Sequence, residues 1–230
     1  MKKKFLALAL VAVSAGGLAW GKSAVSLDTT FATNYVFRGI ELGDQTLHPS
    51  VEVSAEDYYL GFWGAMPITH TFSPGRPDGW TNEYDFYAGW GPKLSDKVSL
   101  DVGVTAYVYT QNHLESTTEG YVGITGDLEG ISAGLYVYYD FDLKNTTIQG
   151  NLGYSIPLKE FGTSLDLSGS VGNVQFDGGG SYTYYGVGAV VPYKLSEKAT
   201  LSVGAHWSSN NLDGGGRDHV YYTAGITIGL

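Results

Sequence analysis

His206 is the histidine set inside a regular stretch, between Gly204 and Ser208, with serines on its own side of the chain. Nucleophilic hydrolysis needs a nucleophile, a base within hydrogen-bond reach and a group that orients the base. No motif around His206 supplies those companions, so it reads as a packed or wall-lining side chain. His48, His70, His113 and His219 lie at loop edges, too scattered for zinc-ligand spacing. The chain has no cysteine. The carboxylates Glu52, Asp85, Asp101 and Asp166 stand in separate segments and are not paired as sugar hydrolysis requires. Two Asp-Gly-Gly-Gly stretches, 177–180 and 213–216, match neither an EF-hand loop nor a phosphate-binding loop with its lysine. They read as loop tips. No enzyme, metal site or cofactor is expected.

The elements that carry these residues are strands. In the last twelve residues Val220, Tyr222, Ala224, Ile226, Ile228 and Leu230 fall on one side, and Tyr221, Thr223, Gly225, Thr227 and Gly229 on the other. A strict period of two is a β-strand seen from its side chains. The same alternation predicts strands over 26–38, 48–54, 58–66, 82–90, 98–109, 119–125, 131–140, 147–156, 164–174, 182–193 and 201–208. That makes about twelve. In 26–38, Leu27, Phe31, Tyr35 and Phe37 share the apolar face, while Asp28, Thr30, Asn34 and Arg38 share the polar one. The stretch GIELGDQTL after it reads as a polar loop, and 67–81, with three prolines, as a surface loop. Connections alternate between compact turns (GDLEG, PYKLSEK) and open ones (VQFDGGGSY, SNNLDGGGRD), the asymmetry of an outer-membrane barrel.

Residues 1–21 carry Lys2, Lys3 and Lys4, an apolar run over 5–13 and small residues before a cleavage point, the parts of a secretory signal peptide. Removing them leaves residues 22–230 as one domain. The formal charge of −10 then falls to about −13, which argues against nucleic acid as a partner. The chain has 33 glycines and 18 tyrosines but only 16% charged residues. Its mean hydropathy is near zero, as expected when alternate residues face lipid. Aromatics near strand ends (Tyr35, Phe37, Tyr84, Trp90, Tyr139, Tyr154, Tyr185, Tyr193, Trp207, Tyr222) fit interfacial girdles. The expected fold is all-β: a transmembrane antiparallel up-and-down β-barrel. Its last strand ends on an apolar row suited to lipid and to the barrel-assembly machinery.

The run NYVFRGIELGDQTLHPSVEVS, followed by YLGFWGA, resembles the N-terminal signature of the TorF-family porins of Gram-negative bacteria. The matching positions are Asn34, Tyr35, Arg38, Gly39, Ile40, Pro49, Trp63 and Gly64, about a fifth of the mature chain. The terminal Leu230 departs from the phenylalanine common at the end of such barrels. The resemblance implies a porin-like role without naming a solute.

About twelve strands lie between the filled eight-stranded barrel and the open sixteen-stranded porin, so a narrow lumen is expected. Arg38, Glu52, Asp85, Asp101, Tyr107, Tyr136, Asp166 and His206 are the expected pore-lining residues, with Arg38 paired to a wall carboxylate. Acids outnumber Arg38, so small cationic or neutral solutes should pass in preference to anions. The competing expectation is a non-conducting structural or adhesive barrel acting through its loops. The cell outer membrane, its lipid and small solutes complete the expected setting.

Overall fold

The computed structural model describes residues 23–68, 82–110, 115–212 and 218–230. The expected signal peptide, most of the 67–81 loop, the second Asp-Gly-Gly-Gly stretch, His70 and His113 lie outside them. In chain order the strands are β1 (Ser23–Ala32), β2 (Tyr35–Phe37), β3 (Ile40–Gly43), β4 (Thr46–Ala55), β5 (Tyr58–Pro67), β6 (Glu83–Trp90), β7 (Val98–Tyr109), β8 (Thr117–Leu128), β9 (Ile131–Asp140), β10 (Thr146–Leu158), β11 (Thr163–Gln175), β12 (Ser181–Lys194), β13 (Ala199–Asn210) and β14 (His219–Gly229). A short 3-10 turn, Lys159–Phe161, joins β10 to β11.

Twelve of these strands, β1 and β4 to β14, close into an antiparallel barrel in which β1 pairs with β4 on one side and β14 on the other. The seam runs from Ser26↔Gly229 to Ala32↔Thr223, so the terminal strand completes the cylinder. Closure leaves no unpaired edge, the condition for strands to sit in lipid.

The burial pattern separates this barrel from a soluble one. Its outer face exposes Leu60, Phe86, Ile124, Leu135, Leu152 and Val187, while Glu83, Asp101, Glu119, Asp140, Gln149 and His206 are buried inside. Apolar residues outside and polar residues inside is the arrangement a hydrocarbon solvent stabilises. Of the expected girdle, Trp90, Tyr139, Tyr154, Tyr185, Tyr193 and Tyr222 are exposed on this outer face. Tyr84 and Trp207 are half-buried.

The first expected strand is shorter than its pattern. β1 stops at Ala32, and Thr33 still holds β14 through its backbone N–H to the Tyr222 carbonyl at 2.9 Å. The chain then leaves the wall, and β2 and β3 form a separate two-stranded ribbon. Tyr35 and Phe37 therefore belong to an inward hairpin and to no lipid-facing girdle. The expected GIELGDQTL loop supplies the ribbon's second strand. Alternation continues through residue 38 because a hairpin arm has the same period of two as a wall strand.

On the inner face, glycines stand opposite rings. Tyr136 faces Gly123, Tyr121 faces Gly103, and Tyr59 and Tyr87 face Gly89 and Gly61. A Cβ built on any of these four glycines would strike the facing ring. The missing side chain lets the ring lie flat on the wall, which keeps the lumen from being blocked by its own aromatics. We predict that Gly123→Val costs about 1–3 kcal/mol, the usual range for overpacking. Gly150→Val, where a Cβ would meet Val171 at an ordinary 3.9 Å, should be near neutral. Urea unfolding midpoints of the refolded barrels check this, and equal shifts for both would contradict it.

Candidate functional site

The connection from β1 to β4 lies at the barrel end where β5, β7, β9, β11 and β13 also finish. Its hairpin turns on Arg38 and Gly39, with φ of +47° and +79°. Two consecutive positive φ values make the tight hairpin turn whose twist matches the flanking strands. The Glu129-Gly130 turn between β8 and β9 has the same signature in solvent, with φ of +58° and +96°. Glycine suits the second position in both. At Gly39 it is also required by space: a Cβ would lie 2.8 Å from the Ser209 carbonyl and 2.9 Å from the Tyr184 Cβ. Arginine at the first position is unusual, since left-handed backbone is strained for a bulky residue. Its side chain explains why it is held there.

Arg38 donates two hydrogen bonds to Glu119, Nη1 to Oε2 and Nη2 to Oε1, each 2.8 Å. This is the bidentate fork that guanidinium and carboxylate geometry favour. The two side chains are 13% and 4% exposed. The guanidinium carbon lies 4.8 Å from the ring centroids of both Phe37 and Tyr138, a cation between two aromatic faces. Tyr107 donates to the same Glu119 Oε1 at 3.2 Å. Burial opposes the charge on Arg38, but the Glu119 carboxylate outweighs it and lifts the guanidinium above its ordinary range. Arg38 therefore stays charged.

The rest of the hairpin is tied across the mouth. Asn210 of β13 donates to the Gly39 carbonyl at 2.5 Å. Ile40 packs on a cluster of Val174, Tyr182 and Tyr184 on β11 and β12. Tyr35 meets His48 and Trp63 with ring centroids 5.2 and 5.4 Å apart, and donates to Glu83 at 3.3 Å. At the base, Asn34 donates to Glu41 at 2.5 Å. The hairpin leaves β1 and reaches β8, which lies across the strand order from it, so it spans the lumen.

Deeper in, a second polar layer lines the β4–β9 wall. Tyr59 donates to Asp101 at 2.6 Å and its hydroxyl lies 2.5 Å from that of Tyr121. Tyr136 donates to the other Asp101 oxygen at 3.0 Å, and Tyr87 donates to Glu52 at 3.0 Å. The opposite wall carries smaller inward side chains at this depth, Ser168, Ser170, Gly186, Ser202, Gly204 and Thr223, and Ser155 donates to Asp166 at 2.5 Å.

These contacts place the residues singled out in the sequence. Arg38 reaches the lumen from the hairpin, whereas Glu52, Asp85, Asp101, Tyr107, Tyr136, Asp166 and His206 lie on wall strands. Arg38, Tyr107 and Glu119 form one cluster; Asp101 and Tyr136 share another. Asp85 and Asp101 face inward but are 8% and 2% exposed, while Glu52 and Asp166 are half-exposed. His206 stacks on Tyr221 at 4.9 Å and pairs with the Thr223 hydroxyl at 3.0 Å. Neighbouring Ser208 donates instead to the Tyr185 carbonyl, so these groups are committed to the wall. Asp177–Gly180 is a simple turn, with Gly179 and Gly180 at φ of +88°.

Sequence reasoning does not single out Glu119, Tyr59, Tyr121 or Asp28 as site residues. Their parity on the strands marks them as inward, but parity does not say which inward groups meet. The charge bias is legible, however. Among the described residues the twelve wall strands carry one lysine, Lys194 at the last position of β12, and no arginine, against Asp28, Glu52, Glu83, Asp85, Asp101, Glu119, Asp127, Asp140 and Asp166.

The family described as "Bacterial protein of unknown function (Gcw_chp)" matches residues 19–213. The chain belongs to that family. No curated protein matches it in sequence. Among solved structures, the KdgM porin is similar at 14% identity and a TM-score of 0.60, over 88% of this chain and 98% of that one. The NanC porin is similar at 14% identity and 0.57, with coverage of 88% and 98%. The COG4313 outer membrane channel from Pseudomonas putida F1 follows at 10% identity and 0.55, covering 90% and 94%. Identities this low show a shared fold.

Removing one partner of a buried ion pair costs about 3–5 kcal/mol, which multiplies local opening by roughly two to four orders of magnitude. Glu119→Gln should therefore expose the Arg38–Gly39 bond of the folded barrel to trypsin, while the unaltered chain resists at that site. Mass mapping of the cut reads this, and equal resistance would contradict the role of the pair.

Proposed function

We propose that this chain is a porin-like channel of the bacterial outer membrane, passing small cationic or neutral solutes by passive diffusion. The observation that carries the proposal is a wall whose inward charges are acidic, with Arg38 brought in from the hairpin as their counterion. Carboxylates facing a water-filled path attract cations and repel anions. Glu52 on β4 and Asp166 on β11 retain partial exposure on the inner face, where such a path would run. The KdgM porin, by contrast, has been solved in complex with disordered oligogalacturonate, a polyanion. An acid-lined relative of the same fold would select the opposite charge.

The resemblance of the Asn34–Ile40 motif to TorF-family porins supports the same role. On this reading residues 1–21 are a signal peptide, the outer face meets outer-membrane lipid, and β14 carries the signal read by the barrel-assembly machinery. Nucleic acid is no partner of so acidic a surface. The commitments of His206 and Ser208 to wall contacts favour a channel over an enzyme. A second reading, a non-conducting structural or adhesive barrel, is favoured by the hairpin that spans the mouth.

The test is the reversal potential of the refolded mature chain in a planar bilayer under a potassium chloride gradient. Cation preference is expected. A carboxylate in contact with an ion is worth about 1 kcal/mol in water, so Glu52→Gln with Asp166→Asn should lower the cation-to-anion permeability ratio roughly tenfold. Anion preference would overturn the charge argument, and a folded but silent barrel would favour the second reading.

A further inference from the structure

The hairpin packs over a buried cluster of acids on the wall. Glu83, Asp85 and Glu119 supply it from β6 and β8, and they are 4%, 8% and 3% exposed. Burying carboxylates costs free energy unless positive charge or donors compensate. Arg38 satisfies Glu119. Tyr35 gives Glu83 one hydrogen bond at 3.3 Å, and the Glu83 and Asp85 carboxyls meet each other. Asp85 Oδ1 is buried with no hydrogen-bond partner. The cluster thus sets three carboxyls against one guanidinium, and it includes an acceptor oxygen with no partner.

Its chemistry is specific. No group of three or more acidic, histidine or cysteine side chains among the described residues is arranged to hold a metal ion. What the cluster does hold is a guanidinium, gripped by a two-oxygen fork and flanked by aromatic faces at 4.8 Å. These are the features that recognise flat or compact organic cations. We propose that this cluster, once Arg38 is displaced, is a binding site for the guanidinium or primary ammonium head of a small solute, and that Arg38 is a tethered copy of that head. A solute arriving at the mouth pairs with Asp85 and competes with Arg38 for Glu119. As a route for solute, this rests on the channel reading above; as a binding site, it is testable without current.

The probe is agmatine, which carries both head groups, with urea as the neutral analogue of guanidinium. Calorimetric titration of the detergent-refolded chain should show agmatine binding and no urea binding. Arg38→Ala should tighten agmatine binding at least about tenfold by emptying the fork, and Asp85→Asn should weaken it by a similar factor. Agmatine should also reduce potassium current when added on the long-loop side. Loss of binding in Asp85→Asn, compared with the unaltered chain, decides the matter even if Arg38→Ala fails to refold. No agmatine heat, or heat insensitive to Asp85→Asn, would overturn the proposal while an intact cation current left the channel standing. Heat with the expected mutational pattern in a silent barrel would retain the site and sink the channel.

Discussion

One buried ion pair, Arg38 to Glu119, sets the interior of this barrel. A closed cylinder in lipid needs only apolar residues outside and a paired seam, and twelve alternating strands supply both. What fills it is decided separately. An inner wall rich in carboxylates repels itself in a low-dielectric setting, and cations on the wall are absent from the described strands apart from Lys194 at a turn. The neutralising charge comes from a hairpin that abandons the wall after Thr33. The need to carry that charge inward explains the hairpin's geometry. A two-residue turn places Arg38 at the tip, and Gly39 lets the tip touch Tyr184, Ser209 and Asn210.

The tyrosines and glycines of the inner face serve the same arrangement. Each ring lying over a facing glycine turns a bulky side chain into a flat lining, and the hydroxyls of Tyr59, Tyr87 and Tyr136 then reach a carboxylate. Asp101 is held in this way by Tyr59 and Tyr136, while Glu119 is held by Tyr107 and Arg38. The rings of this layer sit on β5 to β9, while at the same depth β11 to β14 carry serine, glycine and threonine, and the hairpin occupies the mouth.

The architecture was legible because a strand in lipid obeys a period of two, and the sequence keeps it from Leu27 to Leu230. The ends of β7 and β9 coincide with the alternation over 98–109 and 131–140. The interior was legible only in part. Inward parity placed Asp101 and Tyr136 on the polar row, yet their hydrogen bond joins residues 35 apart in sequence on non-adjacent strands. Parity was misleading at Tyr35 and Phe37. There the hairpin arm extends the wall strand's alternation after the chain has turned inward, and the backbone reversal at Arg38-Gly39 has no hydrophobic signature. An Arg-Gly pair does not announce a two-residue hairpin as Asn-Gly does; the partner that stabilises it, Glu119, is 81 residues away.

The most direct test of the hairpin as the element that sets the bore is single-channel conductance of Arg38→Ala beside the unaltered chain in the same bilayer and salt. If the Arg38–Glu119 pair holds the hairpin across the lumen, its loss should raise the conductance and make the open level noisier as the tip moves. Identical conductance and noise in a correctly folded variant would show that the hairpin does not govern the path.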